Sequence, residues 1–130
     1  MTAEDQLVVA ARGVQAHAHA PYSNFRVGAA LEAEDGRVFV GCNVENASYG
    51  LTICAERVAA GTAVAAGATR FRRVVVVTDV DPPAAPCGAC RQFLVEFGTD
   101  IDVMAVGPKS SRRWRLADLL PATFDKGSLI

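Results

Sequence analysis

Cys54-Ala55-Glu56, followed at a distance by Pro86-Cys87-Gly88-Ala89-Cys90, is the part of the chain whose residue types and spacing could do chemistry. Three cysteines supply three thiolates to one zinc ion and leave a tetrahedral position open, which separates a catalytic zinc from a structural one. Glu56, two residues from a ligand, is a carboxylate placed to move protons for a water held at that position. Charge is the difficulty, because zinc with three thiolates is a poorer Lewis acid than zinc with three imidazoles. Helix starts at Cys54 and at Cys87 would help keep the sulfurs ionised. Cys87 and Cys90, three apart on a first helical turn, share one face. Arg57 and Arg91 each follow one half of the motif, and Arg57 is the expected partner that draws charge off a thiolate.

Other readings of these cysteines are weaker. A lone Cys-x-x-Cys suits a redox pair or half a structural zinc site. A structural site needs a fourth protein ligand, and only Cys42, His17 and His19 remain. Cys42 is expected inside a strand as a small apolar residue. The histidines have no ligand-like spacing to the cysteines. A redox role leaves Cys54-Ala55-Glu56 unexplained.

Composition bounds the rest. A chain of 130 residues is long enough for one domain with a real core, taken as 1–130. It is 51% apolar and 21% charged, with net charge -1, which reads as globular and without the basic bias that nucleic-acid binding wants. The one basic cluster, Lys109 to Arg115, is expected to be a solvated turn and strand face. The first residues, Met1-Thr2-Ala3-Glu4-Asp5, are acidic where a signal peptide would be basic. No apolar run reaches membrane-spanning length. A cytoplasmic location is therefore expected, with reduced thiols that read as metal or catalytic groups.

The elements that must position the motif follow from periodicity. Residues about 3–19 carry Leu7, Val8, Ala11, Val14 and Ala18 at helical spacing, and Pro21 ends the helix. Strands are predicted at 27–33 and 38–44, joined by a hairpin at Asp35-Gly36. An Ala-rich helix is predicted over about 53–67, closed by Gly67. The β-branched run from Arg73 to Thr78 suits a central strand buried on both faces. A third helix at about 88–97, a strand at 101–106, a further strand near 112–116 and a short helix at 116–120 complete the order. This pattern predicts an α/β fold, a three-layer α-β-α sandwich around a mixed five-stranded sheet.

At these residues the chain resembles the cytidine deaminase family in its small homotetrameric, three-cysteine form. The resemblance runs through Pro21-Tyr22-Ser23-Asn24-Phe25-Arg26-Val27-Gly28-Ala29-Ala30, Gly41 to Arg57, Pro86 to Gln92, and Leu119-Leu120-Pro121 with Phe124. It covers nearly the whole chain in matching order. A zinc-ligand-x-Glu paired with a downstream Pro-Cys-x-x-Cys is the general signature of zinc nucleobase deaminases. The resemblance implies hydrolytic deamination of cytidine and 2'-deoxycytidine, with ammonia released, in pyrimidine salvage. It implies that Cys54, Cys87 and Cys90 hold one zinc per chain and that Glu56 shuttles protons. It implies that Phe25 packs on the pyrimidine and that Asn43 and Glu45 bind the ribose 3'-hydroxyl. The backbone at Ala55 would contact the base, and Phe124 would line a neighbouring subunit's site in a homotetramer with shared active sites.

From the residues alone, Asn43 and Glu45 are two apart at a strand end and so point to one face, with a solvated strand end as the bland reading. Phe25 and Tyr49 read from the residues as core packing by default, with a stacking platform or pocket wall as the alternative. The segment 107–115 is shorter and more basic than is general in that family. Rival functions are deamination of another aminopyrimidine nucleoside such as blasticidin S, polynucleotide editing, and a non-catalytic zinc-binding interaction module. Asn43, Glu45 and Phe25 oppose the first, the charge balance the second, and Glu56 the third.

Overall fold

The first helix begins where its cap dictates. In the computed structural model, which describes residues 1–129, α1 spans Ala3–Gln15. The Thr2 hydroxyl accepts from the Asp5 N–H, and the Asp5 carboxylate accepts from the Thr2 N–H, a reciprocal capping box. The helix stops short of the predicted residue 19. Its continuation is taken by pairing with a distant segment. His19 donates its N–H to the Asn43 carbonyl and accepts from the Glu45 N–H, so residues past Gln15 leave helical geometry to form that bridge. A tertiary ladder outweighs the modest helix propensity of the Ala/His run.

The remaining elements are β1 Gly28–Ala33, β2 Val38–Cys42, α2 Ala55–Ala65, β3 Phe71–Val77, α3 Gly88–Val95, β4 Asp102–Val106, β5 Ser111–Arg115 and α4 Leu116–Leu119. Short 3-10 turns at Tyr49–Leu51 and Lys126–Leu129 had no counterpart in the sequence reading. β2 ends at Cys42, so this half-buried cysteine closes a strand rather than sitting inside one. The β1–β2 turn passes through Gly36 at φ 93°, a left-handed conformation that favours glycine.

The sheet has the order β2-β1-β3-β4-β5. β1 is antiparallel to β2 and β3, β3 is parallel to β4, and β4 is antiparallel to β5, so the sheet is mixed as predicted. Alternation along the strands sends residues to two cores. Ala30, Val75 and Val77 face α1 through Leu7 and Ala11. Ala29, Leu31, Val74 and Val76 meet Ala59, Ala60 and Ala63 of α2, Leu94 and Val95 of α3, and Leu116 of α4. This is the three-layer sandwich. Val74 to Val77 are all buried because β3 is covered on both faces.

One glycine sets the height of α2 above the sheet. A Cβ on Gly41 would lie 2.3 Å from the Ala59 backbone nitrogen and 2.7 Å from the Ala55 carbonyl oxygen. Only glycine lets the α2 backbone come this close to β2, and the alanines on its inner face serve the same approach. No helix among the described residues is long and apolar enough to cross a membrane.

Candidate active site

Two helix starts converge on one point. Cys54 is the N-cap of α2 and Cys87 the N-cap of α3, both in extended backbone, and Cys90 lies in the first turn of α3. Neither N-cap sulfur is engaged in capping its helix. The sulfurs of Cys54 and Cys87 are 3.9 Å apart and those of Cys87 and Cys90 are 3.5 Å apart. All three ligand atoms lie within 4.8 Å of one another. Tetrahedral zinc with Zn–S bonds near 2.3 Å wants sulfurs about 3.8 Å apart, and the Cys54–Cys87 and Cys87–Cys90 spacings lie close to that. Three soft sulfurs at two positive helix ends are also the donor chemistry that zinc selects.

Electrostatics in the trio are uneven. Cys54 is pulled down to about 5, first by the hydrogen bond from Cys90 and then by Arg57 and Cys87, against a desolvation cost. Cys90 is pushed up, chiefly because its proton is held in the bond to Cys54 and then by burial. The Arg57 guanidinium stands 3.8 Å from the Cys54 sulfur and donates to the Thr52 carbonyl at 3.3 Å. Its Nε is buried without a partner. Arg91 is committed elsewhere, donating to the carbonyls of Pro86 and Leu119. Of the two arginines that follow the motif halves, Arg57 is the one beside a sulfur.

Glu56, in the first turn of α2, is 5% exposed. Burial raises its carboxyl above the usual carboxylate range. It lines a cleft of about 340 Å³ together with Cys54, Ala55, Cys87, Phe25, Asn43 and Glu45. The chain therefore brings most of the residues singled out in the sequence into one mostly apolar cavity.

Asn43 and Glu45 reach it differently from the strand-end expectation. Both lie beyond the end of β2. The Asn43 side-chain Oδ1 accepts from the Val27 N–H at 2.9 Å, and its Nδ2 donates to the Phe25 carbonyl at 2.7 Å. The Glu45 carboxylate accepts from the N–H groups of Tyr22 and Ser23 and from the Ser23 hydroxyl, which hold its pKa below the usual range. Both side chains clamp the Tyr22–Val27 segment that carries Phe25, and each keeps unused hydrogen-bonding capacity.

Tyr49 and Phe124 are outside this cleft. Tyr49 is 74% exposed and lines a neighbouring depression with Tyr22, Ser23, Glu45 and Thr52. Phe124 is 59% exposed, its carbonyl held by the Gln92 amide. His17 and His19 are not part of the metal-competent cluster. Sequence reasoning missed Thr78, Ala84 and Ala85, which also line the cavity. Thr78 follows the last residue of β3, a strand with a parallel neighbour, and ligands of α/β sheets bind beyond such strand ends, so a signal existed. Two alanines in a loop gave none.

The cytidine and deoxycytidylate deaminase zinc-binding region matches residues 1–106. The chain belongs to this family. A probable cytidine deaminase of Dictyostelium discoideum is 49% identical over 128 residues, covering 97% of this chain and 86% of the relative. A cytidine deaminase of Sporosarcina psychrophila is 42% identical over 127 residues, 96% of this chain and 93% of that one. Among solved structures, the cytidine deaminase of Burkholderia pseudomallei superposes with a TM-score of 0.89 at 48% identity, covering 95% of this chain and 100% of the other. The fold is the frame that this chain shares with the solved deaminase. The three sulfurs are positioned to hold a metal ion, in a chain that the family's zinc-binding region matches.

Proposed function

We propose that this chain hydrolyses cytidine and 2'-deoxycytidine to uridine and 2'-deoxyuridine, releasing ammonia, as a cytoplasmic enzyme of pyrimidine salvage. The observation that carries the reading is a trio of sulfurs within 4.8 Å of one another, two of which join the buried Glu56 on the wall of the cleft also lined by Phe25, Asn43 and Glu45. Cys54, Cys87 and Cys90 would hold one zinc. When bound, the ion supplies a Lewis acid that makes water nucleophilic near neutral pH.

The rest of the chemistry falls to the chain. Glu56 takes a proton from the attacking water and passes it to ring N3 as the oxygen adds at C4. It then takes the proton of the new C4 hydroxyl and delivers it to the amino group, which leaves as ammonia as the C4–N bond breaks. One carboxylate serves both steps because acid and base roles alternate, and a pKa raised by burial brings it toward the operating pH. Arg57 offsets charge on Cys54. Phe25 packs on the pyrimidine, and the backbone at Ala55 holds the base. Asn43 donates its remaining amide hydrogen to the 3'-hydroxyl while Glu45 accepts from it.

The family's description spans nucleoside and nucleotide substrates. The residues lining this cleft favour the nucleoside. They include Glu45 and Glu56 and, among the described residues, no lysine or arginine to neutralise a phosphate. Polynucleotide editing is opposed by the net charge of -1. The reading includes a homotetramer with shared sites. Its support is large apolar side chains left exposed, among them Tyr22, Tyr49, Leu51 and Phe124.

Metal analysis combined with turnover tests the proposal. The expected result is one zinc per chain in a sulfur-rich environment and conversion of cytidine and 2'-deoxycytidine. Free cytosine, 3'-deoxycytidine and deoxycytidylate should be poor substrates. Four sulfurs by X-ray absorption, or cytosine turned over as well as cytidine, would overturn the zinc or the ribose assignment respectively.

A further inference from the structure

The loop from Thr78 to Pro86 forms one wall of the cleft through Thr78, Ala84 and Ala85, and it delivers Cys87 to the site. Most of it has no helix or strand ladder to hold it in place. Its support comes from the far side, from the turn between β4 and β5. The Asp81 carboxylate accepts from the Lys109 N–H at 2.9 Å, the Ser110 N–H at 3.2 Å and the Ser110 hydroxyl at 2.8 Å. Arg112 donates to the carbonyl of Pro83, whose ring is fully buried, and stacks over Trp114 with its guanidinium carbon 4.6 Å from the ring centroid. Arg12 of α1 ties both sides together by donating to the carbonyls of Thr78 and Gly107. The fit is tight at Gly107, where a Cβ would fall 2.2 Å from the Asp81 carboxylate and 2.4 Å from the Val80 carbonyl.

We propose that the β4–β5 turn braces the wall of the nucleoside cleft, with Asp81 as the positioning residue that transmits the brace. Asp81 does not line the cleft. It fixes the loop's first half to the β4–β5 hairpin, so that Ala84 and Ala85 are held in place in the cleft that Phe25 and Val27 also line. This gives the basic 107–115 segment a function unrelated to anionic partners. Arg113 and Arg115 are paired with Glu4 and Asp100, and Arg112 is spent on Pro83 and Trp114. A wall that drifts costs binding before it costs chemistry, because zinc ligands and Glu56 sit at the starts of α2 and α3, which have their own packing.

The inference rests on the proposed nucleoside reading, and the test separates the two. Zinc-loaded wild type, Asp81→Ala and Asp81→Asn are compared for zinc content, steady-state kinetics with cytidine, and hydrogen exchange at the hydrogen-bonded amides of Thr78, Val80 and Gly107. Asp81→Ala should raise KM about tenfold, with kcat changed by less than about threefold. Zinc should stay at one per chain, and the three amides should exchange faster. Asp81→Asn keeps an acceptor oxygen for Ser110 and should recover part of the KM. Ser110→Ala, which deletes only the hydroxyl bond, should show the same effects at smaller size and serves if Asp81→Ala does not fold. Unchanged KM and exchange overturn the brace, and so does a kcat loss that tracks zinc loss. A wild type that leaves cytidine untouched overturns the nucleoside reading, while the exchange comparison still decides whether Asp81 holds the wall.

Discussion

At the scale of single residues, the site depends on side chains whose ordinary properties have been displaced. Glu56 is a carboxyl in a nearly dry place, raised by burial. Glu56→Gln keeps its shape and removes its proton. Zinc content should be unchanged while cytidine turnover falls by roughly two orders of magnitude or more; near-wild-type turnover would rule out the proton-shuttle role. Arg57 stands beside the Cys54 sulfur and is not one of the proposed ligands. Arg57→Gln should lower activity or zinc affinity by about 10–100-fold, as loss of a group that supports a metal ligand commonly does. A zinc titration against a competing chelator, run beside the kinetics, shows which of the two falls. Asn43 illustrates a residue with two tasks, since the amide that would read a sugar hydroxyl also ties Phe25 to Val27.

At the scale of elements, the geometry of α2 relative to the sheet decides whether Cys54 and Glu56 can meet Cys87 and Cys90. Small residues make that geometry. Gly41→Ala would place a methyl group 2.3 Å from the Ala59 nitrogen, closer than real contacts allow. Either α2 lifts or β2 bends, and the variant should lose about 1–3 kcal/mol of stability. Because α2 carries Cys54 at its start, zinc occupancy should drop as well. Chemical denaturation and metal analysis on one preparation check both. Wild-type stability in this variant would mean that α2 has slack the close approach denies. Elements also explain the shortened α1. Residues 16–19 have helical composition, yet His19 pairs with the segment after β2, and that pairing shapes the Tyr22–Val27 turn beside the cleft.

At the scale of the whole molecule, apolar surface remains that one chain does not cover. Tyr49 and Phe124 are both largely exposed and neither reaches the chain's own cleft. Light scattering at dilute, active concentrations should give a mass near four chains. Phe124→Ala should weaken substrate binding without removing zinc. A fully active monomer would sink the assembly and the shared site together, while leaving the cysteine chemistry intact.

The convergence of the three cysteines and the place of Glu56 beside them were legible in the sequence because they depend on residue type and short spacing, which helix starts convert into proximity. The order of elements was legible too, since burial on two faces leaves a β-branched run at Val74 to Val77 and burial on one leaves helical periodicity. Long-range pairing decided the rest. The end of α1 and the placement of Asn43 and Glu45 past β2 each turn on a partner distant in sequence. Local propensity cannot anticipate such partners. The two alanines of the cleft wall and the carboxylate of Asp81 had no pattern to reveal them, because a wall is made by where backbone is held and not by which side chain it bears.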